Sequence, residues 1–248
     1  MRAVVVGASS GLGRSIGVDL ARHGAQVALL ARRHDRLVEA AKDAGPGTLA
    51  ITCDVTRESS CRDAIEEAAK RLGGIDALVY ASGIGPMGHI EDLSMDTWRR
   101  TFDTNVIGAS VVTAAALPHL KASAGHAVYL SSISASYTPP WPGLGAYAVS
   151  KAALDKLTDA WRGEHPTVGF TRIAMGVCSG GGGGSHTDFT AEWDMSMAAT
   201  FAKTWADRNL FRGDFVNVDD LLRIVRGLLE AGGAVALPAV VVTARTKQ

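Results

Sequence analysis

Six short apolar runs, Ala3–Val6, Val27–Leu30, Leu49–Thr52, Ala77–Val79, Ala127–Leu130 and Phe170–Ala174, punctuate this chain. None alternates apolar with polar residues, so each suits a strand covered on both faces. Between them, Arg14–Arg22, Arg57–Arg71, Met95–His119 and Ala146–Trp161 carry apolar residues at three- and four-residue spacing, the stripe of an amphipathic helix. Buried strands alternating with helices predict parallel pairing through crossover helices, hence an α/β, doubly wound parallel sheet. With 248 residues, 47% of them apolar, the chain can bury a large core as a single domain over 1–248.

Composition narrows the partners. The 25 cationic and 25 anionic side chains balance, so no long-range field recruits nucleic acid or an anionic membrane surface. The opening MRAVVVGASSG holds an apolar run too short for a secretory signal, and nowhere are there about eighteen uninterrupted apolar residues. The expectation is a cytoplasmic protein with a small-molecule substrate and neither a nucleic-acid nor a membrane partner. Cys53, Cys61 and Cys178 are widely spaced, without a C-x-x-C pair, and predict reduced thiols with no disulfide framework and no metal site.

The first apolar run passes straight into Gly7, Ala8, Ser9, Ser10, Gly11, Leu12 and Gly13 at the start of the first helical stretch. Glycines there permit positive φ and close backbone approach, and the free amides of the helix start face an incoming pyrophosphate. The spacing is G-x-x-x-G-x-G, and its place at the first strand-to-helix turn makes the sheet a Rossmann-type dinucleotide site. At the end of the second run, where a carboxylate would hold a ribose hydroxyl, stand Arg32 and Arg33 instead. Arginine suits a 2′-phosphate, so NADP(H) is the expected cofactor, with NAD(H) the alternative. Asp54, after the third run, could accept from an adenine amino group or cap the next helix.

Tyr147 and Lys151 lie four apart, on one face of a helix. A nearby ammonium favours phenolate and would lower the phenol's pKa from its reference value near 10, making Tyr147 an acid or base. The fifth run ends in Ser131 and Ser132, at the sheet edge where ligands of parallel sheets bind. A serine there can hold a carbonyl oxygen, or bond only its own turn.

Together these residues resemble the short-chain dehydrogenase/reductase family, from Arg2 to about Gly176. The resemblance is carried by the glycine turn, Asp54–Val55, Asn105 within Thr104–Asn105–Val106, the strand ending Ser131–Ser132, and Tyr147 with Lys151. It implies that Tyr147 is the general acid/base, that Lys151 lowers its pKa and binds the nicotinamide ribose, and that Asn105 holds a relay water. It also implies that Ser132, rather than Ser131 or Ser134, orients the substrate oxygen. Cofactor contacts are expected from Gly7, Ser9, Ser10, Gly11, Leu12, Gly13, Arg32, Arg33, Asp54, Val55, Ala81, Ser82, Gly83, Tyr147, Lys151 and Gly176. A homo-oligomer, dimer or tetramer, is implied as well. Where the family has Asn-Asn-Ala-Gly, this chain has Tyr80, Ala81, Ser82 and Gly83; where it has Pro-Gly, Met175 and Gly176 stand; the usual Gly-Gly tail ending is missing.

A substrate loop is expected at about 177–215. Its run Gly180–Gly184 predicts either a mobile loop or a linker-like replacement. Trp141, Phe189, Trp193, Met195, Met197 and Trp205 predict an apolar pocket, about half of them ordinary lid core. The reading that follows is an NADP(H)-dependent oxidoreductase acting on a carbonyl or secondary alcohol. Its rivals are a non-catalytic NADP-binding sensor or scaffold, and a dehydratase or epimerase on the same fold.

Overall fold

The computed structural model describes residues 1–179, 187–211, 213–231 and 235–245. The run Gly180–Gly184 therefore lies outside the described residues.

Strands β1 (Arg2–Val6), β2 (Gln26–Ala31), β3 (Leu49–Thr52), β4 (Ala77–Tyr80), β5 (His126–Ser132), β6 (Gly169–Met175) and β9 (Ala239–Val242) form one parallel sheet. Its order is β3-β2-β1-β4-β5-β6-β9. A two-residue pair, β7 (Cys178–Ser179) and β8 (Val216–Asn217), stands apart. The strand order reverses between β1 and β4, which opens a crevice at their C-terminal ends.

Pleating explains why the runs lack alternation. Val4 and Val6 of β1 enter one core, with residues of α3 (Glu58–Leu72), α5 (Gly108–Ser123) and α7 (Gly145–Glu164). Ala3 and Val5 point the other way, into a core shared with α1 (Gly11–Arg22), α2 (His34–Ala44) and α9 (Val218–Glu230). All four side chains are fully buried. A third, smaller cluster joins Trp141, Leu144, Phe201 and Trp205 under α8 (Met195–Asp207).

The doubly wound sheet expected from the runs is thus observed. One helix differs from expectation. The stretch read as continuous from Met95 is α4 (Met95–Phe102), a π turn at Asp103–Ile107, and α5. By length and apolar content Met95–Ser123 could cross a membrane. Here Ala109, Val112, Ala116 and Leu120 are buried in the core against α3, as expected of a core helix of an α/β domain. Short α6 (Ile133–Ser136) follows β5 directly.

Candidate active site

The glycine turn is folded tightly on itself. Gly7 has φ +87°, and a Cβ there would sit 2.5 Å from the Ser82 amide nitrogen. A Cβ on Gly13 would lie 2.3 Å from the Gly7 carbonyl oxygen. Only hydrogen fits at either position, so the first turn of α1, with amides that lack intrahelical acceptors, packs directly on the end of β4. Ser10 stands at the helix N-cap in extended conformation without a side-chain capping bond. Its hydroxyl accepts from Arg33 Nη2 at 3.0 Å, and the Ser9 hydroxyl accepts from the same nitrogen at 2.8 Å. Leu12 packs against the core on the α1 side.

Of the adjacent arginines, Arg33 faces the glycine turn. Arg32 is exposed, with no hydrogen bond or ion pair among the described residues. Arg36, one turn further along α2, joins Arg33 in holding the Asp188 carboxylate, at 2.9 Å from Arg36. Arg14 is tied to Asp43 of α2 at 2.6 Å.

Asp54 neither caps α3 nor stands free. Its Oδ1 accepts from the Thr56 amide at 3.1 Å and the Thr56 hydroxyl at 2.8 Å, a local turn two residues wide. Val55 is buried and packs on Gly108. Ala81 donates its amide to the Val6 carbonyl, at 2.8 Å, and Gly176 donates to the Val242 carbonyl at 2.8 Å. At Gly83 a Cβ would come 3.3 Å from Lys151 Nζ and 3.5 Å from Asn105 Oδ1, so this backbone forms the floor between the two.

Tyr147 and Lys151 project together from α7. Lys151 is 4% exposed; its Nζ donates to the Leu130 carbonyl at 2.6 Å and lies 5.7 Å from the centre of the Tyr147 ring. Burial pulls its pKa down to about 8, while the Asp155 carboxylate pulls it back up. Tyr147 is half-buried, and desolvation raises its pKa to about 12. A hydrogen bond with the Ser132 side chain acts in the opposite direction. In this arrangement the burial of Tyr147 outweighs everything that would lower it.

Ser132 is placed by the end of β5 and the start of α6. Its hydroxyl pairs with that of Ser134 at 2.9 Å and accepts from the Ser134 amide at 3.2 Å. Ser131 Oγ, one residue earlier, is buried without a hydrogen-bond partner among the described residues. Asn105, fully buried in the π turn, accepts from the Ile84 amide at 2.8 Å. Its Nδ2 donates to the Ile84 carbonyl at 2.9 Å and to Ser150 Oγ at 2.8 Å. Both amide hydrogens are thus committed, leaving only the second lone pair of Oδ1 for a water. Tyr80, which stands where the family pattern has Asn, donates its hydroxyl to the Thr104 carbonyl at 2.6 Å and so steadies the same turn.

Aromatic residues cover this constellation. Phe189 meets the Tyr147 ring edge-on at 5.0 Å and fills the space over Gly85. Trp193 packs on Phe189 at 5.7 Å and donates to the Gly85 carbonyl. Trp141 and Trp205 pair at 5.1 Å in the third cluster, with Met197 at its margin. Met195 is 74% exposed, a correction to its expected place in an apolar pocket. A cavity of about 330 Å³ lies beside this cover, lined by Pro86, Met87, His89, Leu93, Thr97 and Met197 among others. Asp188, Phe189's contact with Tyr147, and Arg36 were not foreseen. Arg36 had a signal, one helical turn beyond Arg33; Asp188, 155 residues from Arg33, had none.

The comparisons agree with this geometry. The family model described as short chain dehydrogenase matches residues 1–195. The chain is 36% identical over 179 residues to 11-beta-hydroxysteroid dehydrogenase A of Sesamum indicum, covering 70% of this chain and 51% of that protein. It therefore spans about half the length of that relative. An uncharacterised oxidoreductase of Staphylococcus epidermidis is 33% identical over 178 residues, covering 71% of this chain and 76% of its own. Among solved structures, the alcohol dehydrogenase of the archaeon Thermococcus sibiricus, complexed with 5-hydroxy-NADP, superposes with a TM-score of 0.79 at 25% identity. That match covers 99% of this chain and 98% of the other. A short-chain type dehydrogenase/reductase from Mycobacterium marinum gives 0.82 at 26% identity, over 97% of this chain and 93% of that one. The chain belongs to the short-chain dehydrogenase/reductase family.

Proposed function

We propose that this protein is an oxidoreductase that prefers NADP(H) and moves a hydride between nicotinamide and a carbonyl or secondary alcohol carbon of a small apolar substrate. The observation that carries it is the convergence of Ser132, Tyr147 and Lys151 at the sheet edge, next to a glycine cradle whose serines are bridged by Arg33.

The residues present fit the cofactor. The amides of the first turn of α1 suit a pyrophosphate, and Gly7 and Gly13 leave backbone where a side chain would block it. Arg33, with Arg36, offers forked donors to a 2′-phosphate. Lys151 Nζ, beside Gly83, is placed to hold ribose hydroxyls. Bound nicotinamide supplies or accepts the hydride at the substrate carbon.

The chain's own part is the proton. With its pKa raised, Tyr147 holds its proton at neutral pH and can give it to a carbonyl oxygen as charge develops there. Ser132, against the same phenol, donates to that oxygen and orients it. In the direction of alcohol oxidation Tyr147 must first lose the proton, which the Lys151 ammonium favours by its charge. Phe189 and Trp193 give the substrate an apolar surround beside Tyr147. The names of the Sesamum and Thermococcus proteins, a hydroxysteroid and an alcohol dehydrogenase, support a hydroxyl or ketone as the reacting group.

The test is a panel of ring ketones, aromatic carbonyls and aliphatic alcohols, followed by nicotinamide absorbance with NADPH/NADP and NADH/NAD in parallel. Net oxidation or reduction of the cofactor on at least one substrate, faster with the phosphorylated form, is expected. Cofactor binding with no net turnover across the panel would sink the dehydrogenase reading.

A further inference from the structure

Three consecutive side chains of one loop reach three parts of the cofactor crevice. Thr187 lies over Gly11, whose added Cβ would meet its Oγ1 at 3.3 Å. The Asp188 carboxylate is held by the guanidinium of Arg33 and by that of Arg36 at 2.9 Å, and it accepts a hydrogen bond from the Ser10 side chain. Phe189 covers Tyr147 and Gly85. The donors gathered on Asp188, two forked cations and a hydroxyl at a helix start, are those that an anionic oxygen of a phosphomonoester would require.

We propose that Asp188 is a specificity-determining residue: an anion of the chain itself that occupies the Arg33–Arg36 subsite and competes there with the 2′-phosphate of NADP(H). The proposal rests on the NADP reading above. A cofactor without the 2′-phosphate meets the loop only at the glycine turn, under Thr187, and has nothing to place between the two arginines. A phosphorylated one must displace the carboxylate, and because Asp188 and Phe189 are neighbours, that displacement also draws Phe189 off Tyr147. Occupation of the phosphate subsite is thereby coupled to uncovering of the phenol. Asp188, Arg33 and Arg36 have side chains 36%, 41% and 44% exposed, so water screens the pairs and the competition is modest.

The experiment measures dissociation constants for NADPH and NADH by calorimetry on the full chain and on Asp188→Asn, Asp188→Ala and Arg33→Ala. Both Asp188 variants should bind NADPH roughly three- to tenfold more tightly, with NADH changed by less than about twofold. Because Asp188 sits in a half-exposed loop, both variants should melt within a few degrees of the parent. Trp193, packed on Phe189, supplies a second readout: NADPH should perturb its fluorescence in the parent, and NADH should do so less. If Arg33→Ala weakens NADPH but the Asp188 variants do not tighten it, the competition is overturned while the NADP reading stands. If Arg33→Ala leaves NADPH affinity unchanged, the NADP reading fails and this proposal fails with it.

Discussion

The Lys151 ammonium is anchored to the Leu130 carbonyl at 2.6 Å, which ties the helix that carries Tyr147 to the strand that ends in Ser132. Burial at that anchor lowers the lysine's pKa from 10.5 to about 8. Between those values the unfolded chain binds more protons than the folded one, so this group's contribution to stability rises with pH. It is complete above the unfolded value and lost as pH falls through the folded one. Measured against Lys151→Met, the parent should gain up to roughly 3 kcal/mol as pH rises from about 8 to about 10.5. Urea unfolding of both proteins across that range is the measurement. A difference that stays flat would mean that Lys151 is not desolvated as the fold implies.

Tyr147→Phe removes the transferable proton and leaves the rest of the ring in contact with Phe189. Turnover on the best substrate should fall by about 10²–10⁴, with cofactor affinity nearly unchanged. Steady-state rates beside a binding titration check both halves; a variant that keeps most of its activity ends the assignment of Tyr147 as acid and base.

For the adjacent arginines, the structure distinguishes the two side chains: Arg33 bonds Ser9 and Ser10, and Arg32 is exposed. Arg33→Ala should weaken NADPH roughly ten- to hundredfold, since it loses at least one charge-assisted contact. Arg32→Ala, at an exposed position without partners among the described residues, should change NADPH affinity by less than about threefold. Equal losses in the two variants would contradict the orientation of Arg33 toward Ser9 and Ser10.

Gly13→Ala places a methyl 2.3 Å from the Gly7 carbonyl oxygen, where backbone must move. The expected outcome is a protein destabilised by about 1–3 kcal/mol, with cofactor affinity reduced by more than that loss of fold alone explains. Thermal melting in the presence and absence of NADPH separates the two effects: the melting temperature should fall, and so should the upward shift caused by cofactor.

How far the chain could be read in advance depended on burial. The strands were legible because both faces are covered, as in Ala3–Val6, and a doubly buried strand leaves an unbroken apolar run. Helix α2 drew no assignment, since Leu37, Ala40 and Ala44 form a thin stripe in a segment rich in charge. Strand β9 lies at the sheet edge, half exposed, and reads as an apolar tail. The four-residue step from Tyr147 to Lys151 is set by helical geometry and could be seen directly. The meeting of Asp188 with Arg33 depends on the path of a loop across the sheet edge, for which no spacing rule exists. The desolvation of Tyr147 was equally hidden, because it belongs to the packed site and not to the residue pair.

The π turn at Asp103–Ile107 acts as a phase shifter on a single rod. One residue beyond the regular repeat rotates everything downstream by roughly 100° relative to an uninterrupted helix. That offset lets α4 address α7 while α5 addresses α3. The irregular ladder is held by groups from outside the helix: the Tyr80 hydroxyl on the Thr104 carbonyl, and Ile84 and Ser150 on the Asn105 side chain. Deleting any one residue of the turn would heal the helix and swing α4 about its axis, away from α7 and the cavity edge at Thr97. The superfluous residue is thus what sets how the helix bordering the Thr97 cavity meets the core.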